Sequence, residues 1–413
     1  MSQEKIHQLN ILLNNVSVGI LICIEPDRCI FTLSEEYIQN TDRPTLTLSL
    51  KDQDSEELKN VLWKSNVLLP PYFSNLLPEG PLRKYLAELN HLNAQREFYL
   101  LETLGADLPG AIRVIKGDDI QEIPSHVKEE RLAEQQDASI EQRLRFSLGG
   151  IQLKFSAIMD VTGGLTIPAE GIGGSWIAKL ASSQLTNIPE NEYSMLQLAG
   201  LVGIEIPEAR LVKTASIENL PPLPPDRSNT CLAVKRFDRS EDGERIHIED
   251  FAQVFDVLPD KKYTKEISYA YIAATIWKFM GEDSLKEFIR RIVFNIAICN
   301  TDMHLKNWSL IYKDKITPQL APAYDLVATF PYVKNDELAL KLGDTRLMSE
   351  VTLHTFKKLV LAAKLPEHIV IDTVNETIAK FMSVWRQNNT QLPIPAFVKD
   401  SIEGHLKKVP LFW

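Results

Sequence analysis

The feature of this sequence that most constrains its fold is a change of pattern near His247. From residue 144 to about residue 239 the chain is rich in glycine and β-forming residues, as in GIGGSWIAKL and CLAVKRFDR. After His247, apolar residues recur at the spacing of amphipathic helices. The helices predicted there cover residues 264–280, 283–298, 352–363 and 369–386. The pattern predicts an α+β protein in which a β-rich part precedes a mostly helical part.

The length and the local patterns together predict three structural units. A chain of 413 residues is too long for one ordinary domain. Its beginning contains two β-like runs, residues 18–24 and 45–50, and an amphipathic helix is predicted over residues 81–92 after PYFSNLLPEG. Residues 116–143 are strongly charged and are interpreted as a connector or an exposed helix. We predict units over residues 1–115, 116–246 and 247–413.

Composition and charge exclude several classes of protein. Hydrophobic residues make up 44% of the chain and charged residues 24%, as in folded globular proteins. No apolar run reaches the roughly 18 residues of a membrane-spanning helix, and the first residues lack the pattern of a secretory signal. A cytoplasmic protein without membrane contact is therefore expected. The formal net charge of -10 argues against a protein that coats nucleic acid with its whole surface.

The cysteines favour no disulfide or zinc framework. Cys23, Cys29, Cys231 and Cys299 form no CxxC pair and are far apart in the sequence. Reduced and mostly buried thiols are expected.

The segment with the most specific chemical pattern is NTDMHLKNWSL, residues 300–310, which follows the predicted helix RRIVFNIAIC. It contains Asp302 and, five residues later, Asn307. This is the spacing of the protein-kinase catalytic loop, in which the aspartate accepts the proton of the substrate hydroxyl and the asparagine holds magnesium. The attacking oxygen and the metal-bound phosphate must meet in line, which places both residues in one short loop. The alternative is a helix end with polar capping residues.

A second carboxylate follows in LAPAYDL, where Asp325 lies 18 residues beyond Asn307 and after a predicted strand over residues 308–312. Two magnesium ions that bridge the β- and γ-phosphates need such a carboxylate. The motif is YDL, whereas ordinary eukaryotic protein kinases have DFG at this place. The alternative for Asp325 is the N-cap of a helix.

Two upstream segments carry candidate phosphate contacts. In SLGGIQLKFS, the pair Gly149 and Gly150 allows a tight turn whose amides face phosphate, and Lys154 adds a positive charge. In GIGGSWIAKL, Lys179 ends a β-like run, and a lysine on a central strand is costly unless it is paired or bound to phosphate. The alternatives are an ordinary hairpin for the glycine pair and an edge strand for Lys179. The later strand CLAVKRFDR stands where the hinge of a kinase binds adenine through backbone groups.

Taken together, the chain resembles the HipA family of toxin kinases along nearly its whole length. The segments that carry this resemblance, in the order of the family, are FSNLLPEGPLR, SLGGIQLKFS, IAKL, VKRFDR, HIEDFAQ, NTDMHLKNWSL and AYDL. The resemblance implies a two-lobed, protein-kinase-like α+β fold with a β-containing N-terminal subdomain and a mostly α-helical C-terminal lobe. It also implies a serine/threonine-protein kinase that uses ATP and Mg²⁺.

The resemblance assigns roles to single residues. Asp302 would be the catalytic aspartate, Asn307 and Asp325 would bind magnesium, and Lys179 would contact the ATP phosphates. Ser147 matches the serine that family members autophosphorylate, which ejects the phosphate loop and switches the kinase off. The nucleotide contacts implied by the family are Leu148, Gly149, Gly150, Ile151, Gln152, Leu153, Lys154, Lys179, Val234, Lys235, Arg236, Phe237, His304, Lys306, Asn307 and Asp325.

Some features depart from the family or receive no assignment. Lys235 replaces a glutamate of several relatives, and Leu153 replaces a more polar residue of the phosphate loop. His304 lies in the catalytic loop without an assigned role in proton transfer. These departures concern the detail of the nucleotide site more than the type of reaction.

The resemblance also implies partners. Similar proteins phosphorylate aminoacyl-tRNA synthetases, arrest growth, and pair with a HipB-like helix-turn-helix antitoxin through which they reach operator DNA. Two other hypotheses stay open from the sequence: an ATP-binding corepressor module without significant kinase activity, and a small-molecule kinase. Keeping Asp302, Asn307, Asp325 and Lys179 together argues against a pure scaffold, which has no need for all four.

Overall fold

The computed structural model describes residues 6–24, 28–118, 153–159, 164–168, 173–182, 184–220 and 229–413. The predicted autophosphorylation site Ser147, the phosphate-loop residues 148–152 and the charged stretch 119–143 lie outside the described residues. The predicted unit boundaries near residues 115 and 246 stay predictions.

The N-terminal part is built on an antiparallel sheet with the strand order β4-β3-β2-β1-β5. Its strands are β1 Ile6–Leu13, β2 Val16–Ile24, β3 Arg28–Leu33, β4 Leu62–Asn66 and β5 Ile112–Lys116. The helices that accompany it are α1 Glu35–Gln39, α2 Ser55–Lys59, α3 Pro71–Ser74, α4 Gly80–Leu89 and α5 Glu97–Leu104. Alternate strand residues such as Leu9 and Ile11 pack with Phe73 and Leu101 of the helices into one apolar core. The predicted strand over residues 18–24 and the helix after PYFSNLLPEG are both present.

The predicted β-run over residues 45–50 is wrong. The segment ends in a 3-10 helix, Leu48–Leu50, and its polar groups bind the C-terminal part of the chain. The Thr45 amide donates to the Lys315 carbonyl at 2.8 Å, and the Leu48 amide donates to the Glu249 carboxylate at 2.8 Å. These long-range partners take the groups that a neighbouring strand would need.

All four cysteines are buried and form no disulfide, as the sequence analysis expected. Cys23 and Cys29 are nevertheless not remote from each other, because β2 and β3 pair in a register that sets them directly opposite.

The second sheet contains six of the described strands in the order β10-β7-β6-β8-β11-β9. These strands are β6 Lys154–Met159, β7 Leu165–Thr166, β8 Trp176–Lys179, β9 Ala209–Lys213, β10 Ile217–Glu218 and β11 Thr230–Lys235. Helix α6, Ile188–Val202, packs against β9 and β11. Because β8 pairs with β6 on one side and β11 on the other, the alternative that places Lys179 on an edge strand is wrong.

The C-terminal part is mostly helical. Its helices are α7 Phe251–Val254, α8 Tyr269–Ala297, α9 Phe330–Val333, α10 Leu353–Ala363, α11 Glu367–Asn388 and α12 Ala396–Leu406. Its short strands are β12 His247–Asp250, β13 Ser309–Tyr312, β14 Gln319–Leu320, β15 Glu337–Leu342 and β16 Thr345–Leu347. The largest apolar core of the described residues gathers α8, α10 and α11 around Ile292, Phe356 and Val370. None of the described helices is both long enough and apolar enough to cross a membrane.

The helices predicted over residues 264–280 and 283–298 both lie in α8. A single residue between them, Gly281, departs from helical geometry. Gly281 has φ 74°, a left-handed conformation that glycine adopts at little cost, so the helix changes direction there. The helix also begins later than predicted, because Ser268 is extended and forms a parallel bridge to Lys341. The other two predicted helices correspond to α10 and α11.

The N-terminal part packs directly on strand β12 of the C-terminal part. Gly110 has φ 70°, and a Cβ atom there would lie 2.8 Å from the Ile248 backbone nitrogen, so only glycine fits. The His247 ring nitrogen Nε2 bonds the Leu46 carbonyl at 2.8 Å. Glu249 is 1% exposed, and its Oε1 accepts hydrogen bonds from the Leu48 amide and the Tyr312 hydroxyl. The interface between the two parts therefore contains a buried carboxyl group.

Replacing Glu249 with Gln should stabilise the protein above pH 7. Burial raises the pKa of Glu249 from its ordinary 4.5 to about 7, so the folded chain holds this proton more tightly than the unfolded chain. Stability therefore falls as pH rises from about 4.5 to about 7, and the loss is complete above that. Glutamine keeps a hydrogen-bond acceptor but has no acidic proton to release. Glu249→Gln should therefore avoid this loss in the free energy of unfolding, which amounts to up to about 3 kcal/mol.

The measurement is the difference in melting temperature between Glu249→Gln and the unchanged protein, from pH 4.5 to pH 8. Asp250, whose pKa burial raises to about 6, titrates in both proteins and cancels in the comparison. A difference that is the same at pH 5 and pH 8 would contradict the assignment of the titration to Glu249.

Candidate functional site

The loop that follows α8 brings Asp302 and Asn307 together. The Asn307 side-chain amide donates to the Asp302 carbonyl at 2.7 Å, and the Asp302 amide donates to the Asn300 side chain at 3.0 Å. Asn300 is itself tied to Asn295 in the last turns of α8 at 2.8 Å. The helix is capped at Ile298. The alternative in which Asp302 and Asn307 are only capping residues of a helix end is therefore wrong.

Asp302 is 7% exposed, and its carboxylate accepts a hydrogen bond from the Tyr263 hydroxyl. His304 Nε2 lies 3.9 Å from the same carboxylate oxygen. Burial lowers the pKa of His304 well below its ordinary value, and the nearby Lys262 ammonium adds to this. His304 therefore stays neutral near pH 7.

Asp325 lies beside Lys179 of the central strand β8. The Lys179 ammonium is shared between Asp325 and Glu192 of α6, and Lys154 of β6 approaches the other Asp325 oxygen at 3.3 Å. Burial opposes the charge on Lys179, but Asp325 and Glu192 outweigh it and raise the pKa of Lys179 above its ordinary range. Burial also opposes the charge on Asp325, but Lys154 and Lys179 together hold its pKa well below the ordinary range. Both groups are therefore charged at neutral pH.

Glu192 is the site residue that the sequence analysis missed. It is 1% exposed and lies on the apolar face of α6 with Ile188, Met195 and Leu196. A carboxylate within such a face needs a cation as its partner, so the helical spacing of the sequence could have identified Glu192 as a candidate. The pair of a strand lysine and a helix glutamate next to the catalytic elements also occurs in protein kinases.

The backbone is strained on both sides of the loop that contains Asp302 and Asn307. Cys299 and Asp325 both have φ 52°, in the left-handed region that residues other than glycine rarely adopt. No helix begins at Asp325, and the next one, α9, has Thr329 at its N-cap, so the capping alternative for Asp325 is wrong. Strain of this kind persists where the surrounding structure fixes a functional geometry.

Asn307 and Asp325 line one small pocket, together with Arg291, Asn300 and Tyr324. An amide and an ionised carboxylate suit Mg²⁺, which usually takes one or two protein ligands and completes its shell with water and phosphate oxygens. Within the described ranges, no group of three or more His, Cys, Asp and Glu residues could hold a metal ion by itself. The donor set therefore fits a magnesium ion that ATP phosphates help to hold.

Several polar groups of the segment VKRFDR have partners within the chain. The Lys235 and Arg236 amides donate to the Glu208 and Ser175 carbonyls, both at 2.8 Å, so neither N–H can bind adenine. The Arg236 guanidinium binds Asp238 at 2.8 Å and approaches Asp107 of the N-terminal part at 3.4 Å. The nucleotide contacts predicted for Val234, Lys235, Arg236 and Phe237 stay predictions.

The other predicted contacts divide into two groups. Val234 is buried in an apolar core, and the Leu153 carbonyl accepts from the Leu180 amide at 3.0 Å. Lys306 is directed to Glu79 of the N-terminal part at 3.0 Å. By contrast, the Phe237 ring lies 5.8 Å from the Tyr324 ring, next to Asp325. The structure thus brings Phe237, Lys154, Lys179, Asn307 and Asp325 to one region.

Comparisons with known proteins identify the family. The HipA N-terminal domain family matches residues 9–115, and the HipA-like C-terminal domain family matches residues 146–385. A protein of Sinorhizobium fredii named "Putative kinase" is 44% identical over 99% of this chain and 98% of its own length. The serine/threonine-protein kinase toxin HipA of Shewanella oneidensis is 24% identical over 73% of each chain.

A solved structure shows the same fold. A chain from the complex of HipA, HipB and operator DNA of Shewanella oneidensis superposes with a TM-score of 0.71, covering 97% of this chain and 96% of that one at 18% identity. The predicted two-lobed, kinase-like α+β fold is thereby confirmed. On the two domain matches and the 44% identical relative, this chain belongs to the HipA family.

Proposed function

We propose that this chain is an ATP-dependent serine/threonine-protein kinase and acts as a HipA-like toxin. The observation that carries the proposal is the joint placement of Asp302 and Asn307 in one loop, with Asp325 held by the Lys179–Glu192 ion pair. A protein that only binds ATP needs no carboxylate in a catalytic loop of this spacing. Membership of the family supports the same reaction.

In the proposed reaction, the hydroxyl oxygen of a substrate serine forms a bond to the γ-phosphorus of ATP while the bond from phosphorus to the leaving ADP oxygen breaks. The hydroxyl proton passes to the Asp302 carboxylate, which is buried in the loop. Asn307 and Asp325 would hold Mg²⁺, which neutralises charge on the phosphates when bound. Lys179 lies beside Asp325 and would direct its ammonium to the phosphates.

The partners that we propose follow from the family. The solved relative is a complex with HipB and operator DNA, so a HipB-like helix-turn-helix antitoxin is the expected partner, and operator DNA is reached chiefly through it. The net charge of -10 agrees with weak DNA binding by the chain alone. We propose a cytoplasmic protein substrate of the aminoacyl-tRNA synthetase class, whose phosphorylation would arrest growth.

The test is incubation of the purified protein with labelled ATP and a cell lysate, followed by identification of labelled bands. The expected result is label on a protein band that an inactive variant does not produce. Label found only on small molecules would favour a small-molecule kinase. Binding of ATP without any transfer would favour a corepressor module and overturn the proposal.

Phosphorylation of Ser147 should inactivate the protein. Ser147 precedes the glycine pair of the predicted phosphate loop, and a phosphate there adds about -1.5 to -2 charge that repels ATP. Mass spectrometry after incubation with ATP should find phosphate on Ser147, and the modified fraction should no longer transfer phosphate. Ser147→Ala should stay active for longer under the same conditions. A Ser147-phosphorylated protein with full activity would contradict this switch.

A further inference from the structure

We propose that Glu79 of the N-terminal part is a positioning residue for the catalytic loop. The inference rests on the proposed kinase function, since it concerns the loop that contains Asp302 and Asn307. Glu79 is the last residue but one of the segment PYFSNLLPEG, residues 71–80, which the nucleotide site described above does not use. The structure places this segment against the catalytic loop.

The Glu79 carboxylate bridges two lysines of the C-terminal part. One oxygen lies 3.0 Å from Lys306 Nζ, and the other accepts from Lys262 Nζ at 2.7 Å. Lys306 immediately precedes Asn307 in the catalytic loop. The Lys262 carbonyl accepts a 3.3 Å hydrogen bond from the Leu305 amide of the same loop. One carboxylate therefore holds the loop at two points.

The two ion pairs are largely shielded from solvent. The side chains of Lys306 and Lys262 are 13% and 10% exposed, and that of Glu79 is 28% exposed. Burial opposes the charge on Glu79, but Lys306 and Lys262 outweigh it and hold its pKa at about 2. Glu79 is therefore ionised throughout the physiological range, and the bridge does not depend on pH there.

Backbone and amide contacts of the same segment reinforce the bridge. Lys306 Nζ also donates to the Asn75 carbonyl at 3.0 Å, and the Asn75 side chain donates to the Val257 carbonyl at 2.8 Å. The Tyr72 carbonyl accepts from the Gln253 side chain of α7 at 3.1 Å. The segment thus meets the C-terminal part at several successive residues.

The segment is fixed to the rest of the N-terminal part by the buried carboxylate of Glu97. Glu97 is 2% exposed and accepts from the Leu69 amide at 2.8 Å, from the Ser74 hydroxyl at 3.0 Å and from Arg83 at 2.9 Å. These bonds join the segment, and residues on both sides of it, to helix α5. Glu79 is therefore presented by a rigid support, as a positioning group requires.

Removal of the Glu79 charge should disturb the loop and leave the Lys154, Lys179 and Asp325 side of the nucleotide site in place. Without the carboxylate, two ammonium groups face each other in a shielded site, and Lys306 would turn toward Asp250, whose Oδ2 lies 3.9 Å away. A displacement of reacting groups by about 1 Å costs about 100-fold in rate. Lys179, Lys154 and Asp325 do not contact this segment in the described structure, so Mg-ATP affinity should hardly change.

The experiment compares kcat and Mg-ATP affinity of Glu79→Gln, Glu79→Asp and Glu102→Gln in the full chain. We expect kcat to fall about 10-fold to 100-fold in Glu79→Gln, with the Mg-ATP dissociation constant within about twofold. Glu79→Asp keeps the charge and should recover part of the rate. Glu102, paired with Lys116 at 2.7 Å on the same N-terminal part, is the matched control and should have no effect. Unchanged kcat in Glu79→Gln would overturn the proposal.

A second substitution distinguishes charge balance from simple loss of structure. Lys262→Met in the Glu79→Gln background removes one of the two facing ammonium groups and should restore part of kcat. A fall of kcat that is accompanied by a fall of melting temperature, and that neither Glu79→Asp nor the double variant reverses, would show a purely structural role and overturn the proposal.

Hydrogen exchange separates this inference from the proposed function. Backbone amides of residues 301–307 should exchange faster in Glu79→Gln than in the unchanged protein, whether or not a substrate is known. Faster exchange in a protein that transfers no phosphate would refute the kinase proposal and keep Glu79 as the residue that positions the loop. Unchanged exchange would overturn the inference even in an active kinase.

Discussion

Asp302→Asn should lower phosphoryl transfer by about 10²-fold to 10⁴-fold while Mg-ATP binding changes little. The substitution keeps the size of the side chain but removes the negative charge that accepts the substrate proton. In terms of the barrier the loss is about 3 to 5 kcal/mol. The loop geometry should survive, because it depends on the Asp302 backbone: its carbonyl accepts from Asn307 at 2.7 Å, and its amide donates to Asn300 at 3.0 Å.

Phosphate incorporation and calorimetric titration with Mg-ATP measure the two quantities separately. Asp260→Asn, an exposed aspartate in the turn before Tyr263, is a control that should change neither. Asp325→Asn should give the opposite signature, with weaker Mg-ATP binding and a higher magnesium requirement. Transfer by Asp302→Asn near the rate of the unchanged protein would refute the kinase mechanism of this loop.

Lys179→Met should impair both stability and nucleotide binding. Methionine fills a similar volume but leaves the buried carboxylates of Asp325 and Glu192 without their shared cation. Removal of one partner of a buried ion pair typically costs about 3 to 5 kcal/mol. Mg-ATP affinity should fall at least about tenfold, since a desolvated contact to phosphate is lost.

Two further variants assign the two effects of Lys179→Met. Glu192→Gln in the Lys179→Met background removes one unpaired carboxylate, and should recover part of the melting temperature but none of the Mg-ATP affinity. Lys154→Met should be milder, because Lys154 is 26% exposed and its nearest Asp325 oxygen is 3.3 Å away.

The stability lost in Lys179→Met should partly return at acidic pH, as the carboxylates that have lost the Lys179 ammonium take up protons. Unchanged Mg-ATP affinity in Lys179→Met would remove Lys179 from the nucleotide site.

Local patterns in the sequence were sufficient for much of the fold. The helical spacing of apolar residues predicted α10 and α11 closely, and the continuous apolar run over residues 18–24 predicted β2. The strand predicted over residues 308–312 corresponds to β13. The spacing of Asp302 and Asn307 predicted that they share a loop, because five residues cannot separate them far. Such features depend on residues that are close together in the sequence, so the sequence alone is enough to predict them.

Features that depend on remote partners were decided only in the tertiary structure. The alternating residues 45–50 form no strand, because their polar groups bind Lys315 and Glu249, more than 200 residues away in the sequence. Arg236 pairs with Asp238 and Asp107, and Lys306 pairs with Glu79, none of which the sequence analysis had named as their partners. A long basic side chain can reach several acidic groups, and only the packed chain determines which one is close enough.

The sequence by itself determined the α+β order, the loop that Asp302 and Asn307 share, and the candidate charged residues Lys179, Asp302 and Asp325. The tertiary structure decided which charges are paired, and above all that Lys179 is shared by Asp325 and Glu192. The physical reason is desolvation. A buried charge is tolerated only with a partner of opposite sign, and that partner is brought in by strands and helices far apart in the chain.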